Sequence, residues 1–533
     1  MRKIGKIKYL VAFGSIAVLL SGCMNGGSMG GMDHSKMNIN NTPNQEQTNN
    51  TTTKVSSLTG KEFTLTAKAS NQELAPGKKL PVWTFNNSVP GPEIRVKQGE
   101  TITVNLKNEL TEPVSIHWHG VPVPNNMDGI PGITQNAVQP GKTFTYRFKA
   151  DVAGTYWYHS HQDSVNQVDR GLYGAFIVEP NSGTNVDRDY TLVLDEWMST
   201  GMSDMKKPQM DTSDMAGMDH SMNMGEDNST NTQEKNNSTM AMNHDMSMYD
   251  LFTINGKSGT LVDKLSVKKG EKARIRLINA GYLSHSIHLH GHEFKVTATD
   301  GQTLNQPGIL KDNLVTIAPG ERYDIELEAN NPGQWLLEDH SDNKAAKGMK
   351  ALIVYDGSSQ GTDKPNESVQ LPAVDLTSYG QTGQATFELD QTFTQEYTMN
   401  LNTEMKKGDM VYTINGKAFP DTDPINVKKG DTVKVRLVNK SKTDDHPMHL
   451  HGHFFQVLSK NGKPLEGTPL MKDTLNLKPG EEYVIAFKAD NAGIWMFHCH
   501  DLHHASAGMM TELKYTDYKT DFVPDPNANN IAE

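Results

Sequence analysis

Cysteine is nearly absent: Cys23 and Cys499 are the only two in 533 residues. With Cys23 expected to carry a lipid, Cys499 is left alone, and no disulfide is expected in the mature protein. Basic residues are outnumbered, 51 Lys and Arg against 63 Asp and Glu, for a net charge of -12. That balance argues against a nucleic-acid partner, because phosphate recognition needs clustered Lys and Arg. It suits cations or neutral molecules. Long hydrophobic runs are missing as well: Tyr9 to Leu20 falls short of the roughly 20 apolar residues of a spanning helix. What is plentiful is Gly, with 45, and Pro, with 25, as in a loop-rich and strand-rich protein. The length exceeds what one hydrophobic core supports, so several domains are expected.

The N-terminal residues read as an export signal. Arg2, Lys3, Lys6 and Lys8 precede the apolar run, and Leu20-Ser21-Gly22-Cys23 follows it. This resembles a bacterial lipobox, which implies a signal peptide over 1–23 and lipidation of Cys23. The expected location is the outer face of the bacterial cytoplasmic membrane, held there by a lipid anchor. An ordinary cleaved signal peptide is the plainer alternative. Residues 24–57 are rich in Asn, Thr, Met and Gly without apolar periodicity, and read as a flexible tether.

Beyond residue 57 one unit occurs three times. Val96-Lys97-Gln98-Gly99, Val267-Lys268-Lys269-Gly270 and Val427-Lys428-Lys429-Gly430 each open a stretch of alternating apolar residues. An H-x-H-G element follows each one, at His117–Gly120, His288–Gly291 and His449–Gly452. Next comes Pro140-Gly141, Pro319-Gly320 or Pro479-Gly480, and later Gly154, Gly333 or Gly493. Five residues on stand His159, Glu338 and His498. Period-two stretches such as Thr143 to Phe148 predict strands. Short strands separated by Pro and Gly turns predict an all-β chain of sandwiches over 58–180, 188–356 and 365–518, followed by a C-terminal tail at 519–533. The middle unit carries a polar, low-complexity insertion over 199–248.

Side chains two apart on a strand share a face, so an H-x-H strand presents two imidazoles to one side. Such pairs occur at His117/His119, His159/His161, His449/His451 and His498/His500. Incidental surface histidines explain one pair but not four at equivalent repeat positions. The third unit adds His446, Cys499, His504 and Met509. Two imidazoles, a thiolate and a thioether are the ligands of a blue-copper electron-transfer site, with Met509 the weak axial one. Zinc is the rival ion, but it has no redox chemistry and no use for a long axial Met. Alternation turns Cys499 away from His498 and His500, which face another metal group. One short covalent path then joins an electron-accepting copper to that group.

These motifs, H-W-H, H-S-H, H-x-x-H-x-H and H-C-H-x3-H-x4-M, resemble those of the multicopper oxidases. The likeness covers about residues 60 to 515 and points to the three-domain bacterial branch of laccases and copper-tolerance oxidases. The resemblance implies three cupredoxin-like Greek-key β-sandwiches and four coppers. It assigns type 1 copper to His446, Cys499, His504 and Met509, and type 2 copper to His117 and His449. It assigns the type 3 pair to His119, His159, His161, His451, His498 and His500. By analogy, the last three coppers lie between the first and third units and reduce O2 to water. Asp128, in Asn126-Met127-Asp128-Gly129, resembles an acidic residue near the family's cluster and is a candidate for proton delivery; its plainer role is an Asp-Gly turn. Many relatives carry a carboxylate where Ala505 stands, so Asp501 is a candidate substitute.

The other two units lack a type 1 set. Ser160 and Val114 replace Cys499 and His446 in the first. In the second, Asp339 replaces Cys499, Glu338 replaces His498 and Lys344 replaces His504. His285, His288 and His290 nevertheless match the third unit's triplet. They read as a relic or as satisfied polar groups at a domain interface, with an extra weak metal site as the alternative.

The substrate is suggested by methionine. The insertion holds Met215, Met218, His220, Met222 and Met224, then Met240, Met242, His244, Met246 and Met248; Met29, Met32, His34 and Met37 repeat the theme. Soft thioethers favour Cu(I), and the surrounding Asp, Asn, Gly and Ser provide no core for a Met stripe to join. Cu(I) capture followed by oxidation to Cu(II) is therefore expected. Asp444 and Asp445 precede His446, where they form either a cation dock or a solvated loop. The alternatives are a laccase acting on phenols and aromatic amines, a copper buffer without turnover, and a copper nitrite reductase, which the H-C-H arrangement disfavours.

Overall fold

A computed structural model describes residues 55–200, 248–341, 348–358, 370–406 and 408–533. Cys23, residues 24–54, Lys344 and Met215 to Met246 of the insertion lie outside them. Each repeat unit is built from strands whose residues alternate between core and solvent. Thr101–Asn108, with Ile102, Val104 and Leu106 fully buried, shows the pattern. Two sheets bury those faces against each other.

The middle and third units have the same topology. In the middle unit one sheet runs Leu251–Ile254, Arg188–Trp197, Lys272–Asn279, Arg322–Glu328, Glu293–Thr299. The matching sheet of the third runs Asp409–Ile414, Gln395–Lys406, Thr432–Asn439, Glu482–Lys488, Phe455–Lys460. The second sheet of each has five strands; its centre is Gln334–Asp339 beside His285–Leu289 in one, and Ile494–Cys499 beside His446–Leu450 in the other. The first unit pairs a four-stranded with a five-stranded sheet. The Val-Lys-x-Gly repeats are one turn made three times: an acid three residues on accepts from the backbone N–H of Lys97, Lys268 or Lys428.

Buried charge joins the units. The Arg322 guanidinium, from the middle unit, donates twice to Asp473 of the third, at 2.7 and 2.5 Å, and once to the Thr155 carbonyl of the first, at 3.2 Å. Arg276 reaches Asp189 and Asp324, and Arg95 also meets Asp189. Such pairs fix orientation more than they stabilise, but removing one partner strands a charge in the interior.

The segment expected only as a tail is packed. Asn530 Oδ1 accepts from Ala137 N–H at 2.8 Å, the Ala528 carbonyl accepts from Gln139, and Ile531 N–H donates to Gln162 Oε1. Its attachment runs through side-chain amides and backbone rather than an apolar stripe, so hydrophobic periodicity carries no sign of it. Among the described residues no helix is long and apolar enough to cross a membrane.

Candidate metal centres

Strand Ile494–Cys499 ends at the third unit's thiol, and the short helix Leu502–Ser506 returns His504 to the same place. Strand His446–Leu450 supplies His446 from alongside. The His446 and His504 Nδ1 atoms are 3.3 Å apart, and Cys499 Sγ lies 3.9 and 3.6 Å from them. Ion-to-nitrogen bonds of about 2.0 Å and an ion-to-sulfur bond of about 2.3 Å set such donors roughly 3.3–3.8 Å apart. The donors therefore suit a single ion. Met509 is fully buried next to them, its carbonyl accepting from Cys499 N–H. Ser441 Oγ fixes the far side of His446 at 2.7 Å, and Tyr412 stacks on His504. Burial pushes the Cys499 thiol well up and, with His504 close by, holds His446 down to about 3. A neutral imidazole suits a metal, whereas the thiol needs a bound cation to ionise here.

Eight other histidines close a second site from two sides. Across each contributing sheet the register is the same: His117 faces His159, and His449 faces His498. The two halves meet ring on ring, His117 against His451 at 3.9 Å and His119 against His449 at 3.7 Å between centroids. Three donor groups result: His117, His119 and His449; His119, His159 and His500; His161, His451 and His498. The two imidazoles of the pairs His159/His161, His449/His451 and His498/His500 go to different groups, whereas His117 and His119 share one and His119 also belongs to the next.

The imidazoles are aimed. Nδ1 of His117, His159 and His449 hydrogen-bonds the carbonyls of Asp128, Ser160 and Asp473 at 2.9–3.0 Å, leaving each Nε2 buried and without a hydrogen-bond partner. Buried polar atoms are rarely left so; anchoring one ring nitrogen while baring the other is how proteins orient a metal ligand. Burial, reinforced by neighbouring imidazoles, holds His119, His159, His451 and His500 well below the usual histidine range. Neutral rings with bare lone pairs fit copper, and a second copper-sized thiolate site stands one residue away.

Comparison with known proteins agrees. Three family models, each described as multicopper oxidase, match residues 66–183, 188–358 and 388–519. This chain belongs to the multicopper oxidase family. It is 31% identical over 457 residues to multicopper oxidase MmcO of Mycobacterium tuberculosis, covering 85% of this chain and 86% of that one. It is 26% identical to copper resistance protein A of Escherichia coli, over 86% of this chain and 93% of the relative. The crystal structure of a multi-copper oxidase from Pseudomonas thermotolerans superposes with a TM-score of 0.61 at 26% identity, covering 86% of this chain and all of that one. The cofactor is accordingly a set of four coppers, of types 1, 2 and 3.

Acids surround the oxidase's histidine cage. Asp128 is buried, with Oδ2 3.0 Å from His451 Nδ1 and Oδ1 3.2 Å from His117 Nδ1. Its turn is real as well: Gly129 has φ +83°, and a Cβ there would stand 1.8 Å from the Ile116 carbonyl oxygen. Asp501 caps the helix carrying His504, accepting from the N–H groups of His503 and His504, with Oδ2 3.3 Å from His504 Nε2. Two acids escaped sequence reasoning. Asp473 Oδ1 is 3.4 Å from both His119 and His449. Glu533 Oε1 is 3.0 Å from His161 Nε2, and this carboxylate outweighs burial to raise His161. Neither sits in a motif; both arrive by tertiary packing.

In the oxidase's middle unit the histidine triplet divides. His285 is a satisfied polar group, 2.9 Å from Asp339 and 3.2 Å from Glu196; burial is overcome by these acids and its pKa rises to about 9. An internal ion pair thus stands where the third unit gathers its thiolate set. His288 and His290 instead gather with His340. Asp444 and Asp445 are both engaged by neighbouring strands, the first accepting from Thr403 at 2.6 Å and the second from Asn476 at 2.8 Å.

Proposed function

We propose that this oxidase takes electrons one at a time from Cu(I), which leaves as Cu(II), and that His446, Cys499, His504 and Met509 form the entry site. His117 and His449 hold type 2 copper, and His119, His159, His161, His451, His498 and His500 hold the type 3 pair. Bound copper supplies one-electron acceptance at the entry site and four-electron reduction of O2 to two waters at the cage, consuming four Cu(I) and four protons. The chain supplies the wiring between them: the Cys499 carbonyl accepts from His498 Nδ1 at 2.9 Å, a hydrogen-bonded shortcut beside the covalent path. Asp128 fixes the Nδ1 proton of His451 and is placed to pass protons to the cage.

The observation that carries the Cu(I) reading is where the methionine-dense insertion departs and returns. Trp197 and Met198 before it and Tyr249 after it share an apolar cluster with Leu502 of the His504 helix. Tyr249 Oη lies 2.8 Å from Asp169 and 3.1 Å from His503, the residue next to His504. The residues on either side of the insertion thus pack against the electron-entry helix. The relative named for copper resistance adds support. The test is to delete residues 201–247 and measure O2 uptake with Cu(I) and with a phenol. Selective loss of the cuprous activity is expected; equal retention of both would overturn the reading and favour a laccase acting on phenols.

A further inference from the structure

The middle unit repeats, in altered form, half of the histidine cage. His288 pairs across its sheet with Glu338 in the register that pairs His449 with His498. The gapless match of Trp335 onward with Trp495 onward also sets His340 opposite His500. Four positions that are all histidine in the third unit are here His288, His290, Glu338 and His340. The half-cage thus has four donors, enough for one ion and too few for three.

Their donor atoms converge. Donor nitrogens of His288, His290 and His340 lie within 4.8 Å of one another. Ring centroids are 4.0, 4.9 and 5.5 Å apart. Glu338 Oε1 lies 3.2 Å from His290 Nε2 and 3.4 Å from His340 Nε2, between those two rings. Both ring nitrogens of His288 are buried without a hydrogen-bond partner; the nearest acid, Asp312, is 3.7 Å away. A merely structural histidine would satisfy at least one of them, as His285 does. The His340 side chain is 21% exposed, which gives an ion a way in.

We propose that His288, His290, His340 and Glu338 form a mononuclear binding site for a divalent transition-metal ion, held most tightly as Cu(II). Three imidazoles and a carboxylate are borderline-to-hard donors. They discriminate against Cu(I), which prefers sulfur, and among divalent first-row ions such donors bind Cu(II) best. The site stands apart from the four family coppers, and it does not depend on which substrate the enzyme oxidises.

The test compares the copper-loaded full chain with His288→Ala/His340→Ala and with Glu338→Gln. Each is dialysed to equilibrium against buffered Cu(II), then analysed for copper per chain and by spin resonance. The wild type is expected to hold one more copper than the double variant and to show an additional tetragonal Cu(II) signal that the variant lacks. The thiolate–copper absorption should be the same in both, which certifies the fold. Glu338→Gln should retain the ion more weakly, with its half-saturation moved to higher free Cu(II). If the double variant loses the thiolate band, His340→Ala alone, at the accessible rim, serves under the same criterion. Equal copper content and superimposable spectra would overturn the proposal.

Discussion

Replacing Asp128 by Asn tests how the cage is held. Asp128 Oδ2 is 3.0 Å from His451 Nδ1, and Oδ1 is 3.2 Å from His117 Nδ1. The Asp128 backbone carbonyl also accepts from His117 at 3.0 Å, so that ring keeps an acceptor in the variant. His451 loses a charged one. A hydrogen bond to a charged group contributes about 1.5–3 kcal/mol, which at about 1.4 kcal/mol per decade is roughly ten- to a hundredfold. Loss of an outer partner of a metal-bound histidine typically has the same cost, about 10–100-fold in affinity or activity. Asp128→Asn should therefore cut kcat by about that factor. The thiolate–copper band should be unchanged, because the His446, Cys499 and His504 group does not include Asp128. Steady-state O2 uptake and the visible spectrum, measured on one preparation, read both. Full activity in the variant would refute the reasoning, and so would loss of the band.

Arg322→Met strips the buried Asp473 carboxylate of its guanidinium partner and leaves it the Thr474 hydroxyl and the His119 and His449 rings. Breaking a buried pair from one side costs about 3–5 kcal/mol, so thermal unfolding should begin well below the wild-type temperature; an unchanged Tm contradicts the part given to Arg322 in joining the units. Asp189 should show itself by pH. Despite burial, the Arg276 and Arg95 guanidinium groups hold it down at about 2 against an ordinary 3.8. A folded pKa below the unfolded one contributes stability above pH 3.8 that fades as pH falls toward 2. Asp189→Asn should therefore be less stable than wild type at neutral pH by about 2 kcal/mol, with the gap closing in that acid window. A gap that is constant with pH assigns the loss to packing.

Much of the account was visible in the sequence because its determinants are local. Strand alternation alone separates Cys499 from His498 and His500, and Cys499 duly lies with His446 and His504 while the flanking rings join the cage. Equal contributions to the cage from the first and third units followed from repeat positions. Asp473 and Glu533 were hidden because they reach the histidines through packing between units, with no periodicity to mark them. His340 was visible in principle: the alignment that replaced His498 by Glu338 sets it opposite His500. The middle triplet's division was not legible, because it depends on Glu196, far away in sequence, meeting His285 at 3.2 Å.

The central claim is that one thiolate couples electron entry to the oxygen-reducing cage. Its most direct test is absorption at about 600 nm, where thiolate–copper bonds absorb, together with O2 uptake, in the copper-loaded wild type and in Cys499→Ser. The account predicts both in the wild type and neither in the variant, while the variant still binds copper at its cage. A wild type without the band, or a variant that still turns over, would contradict it.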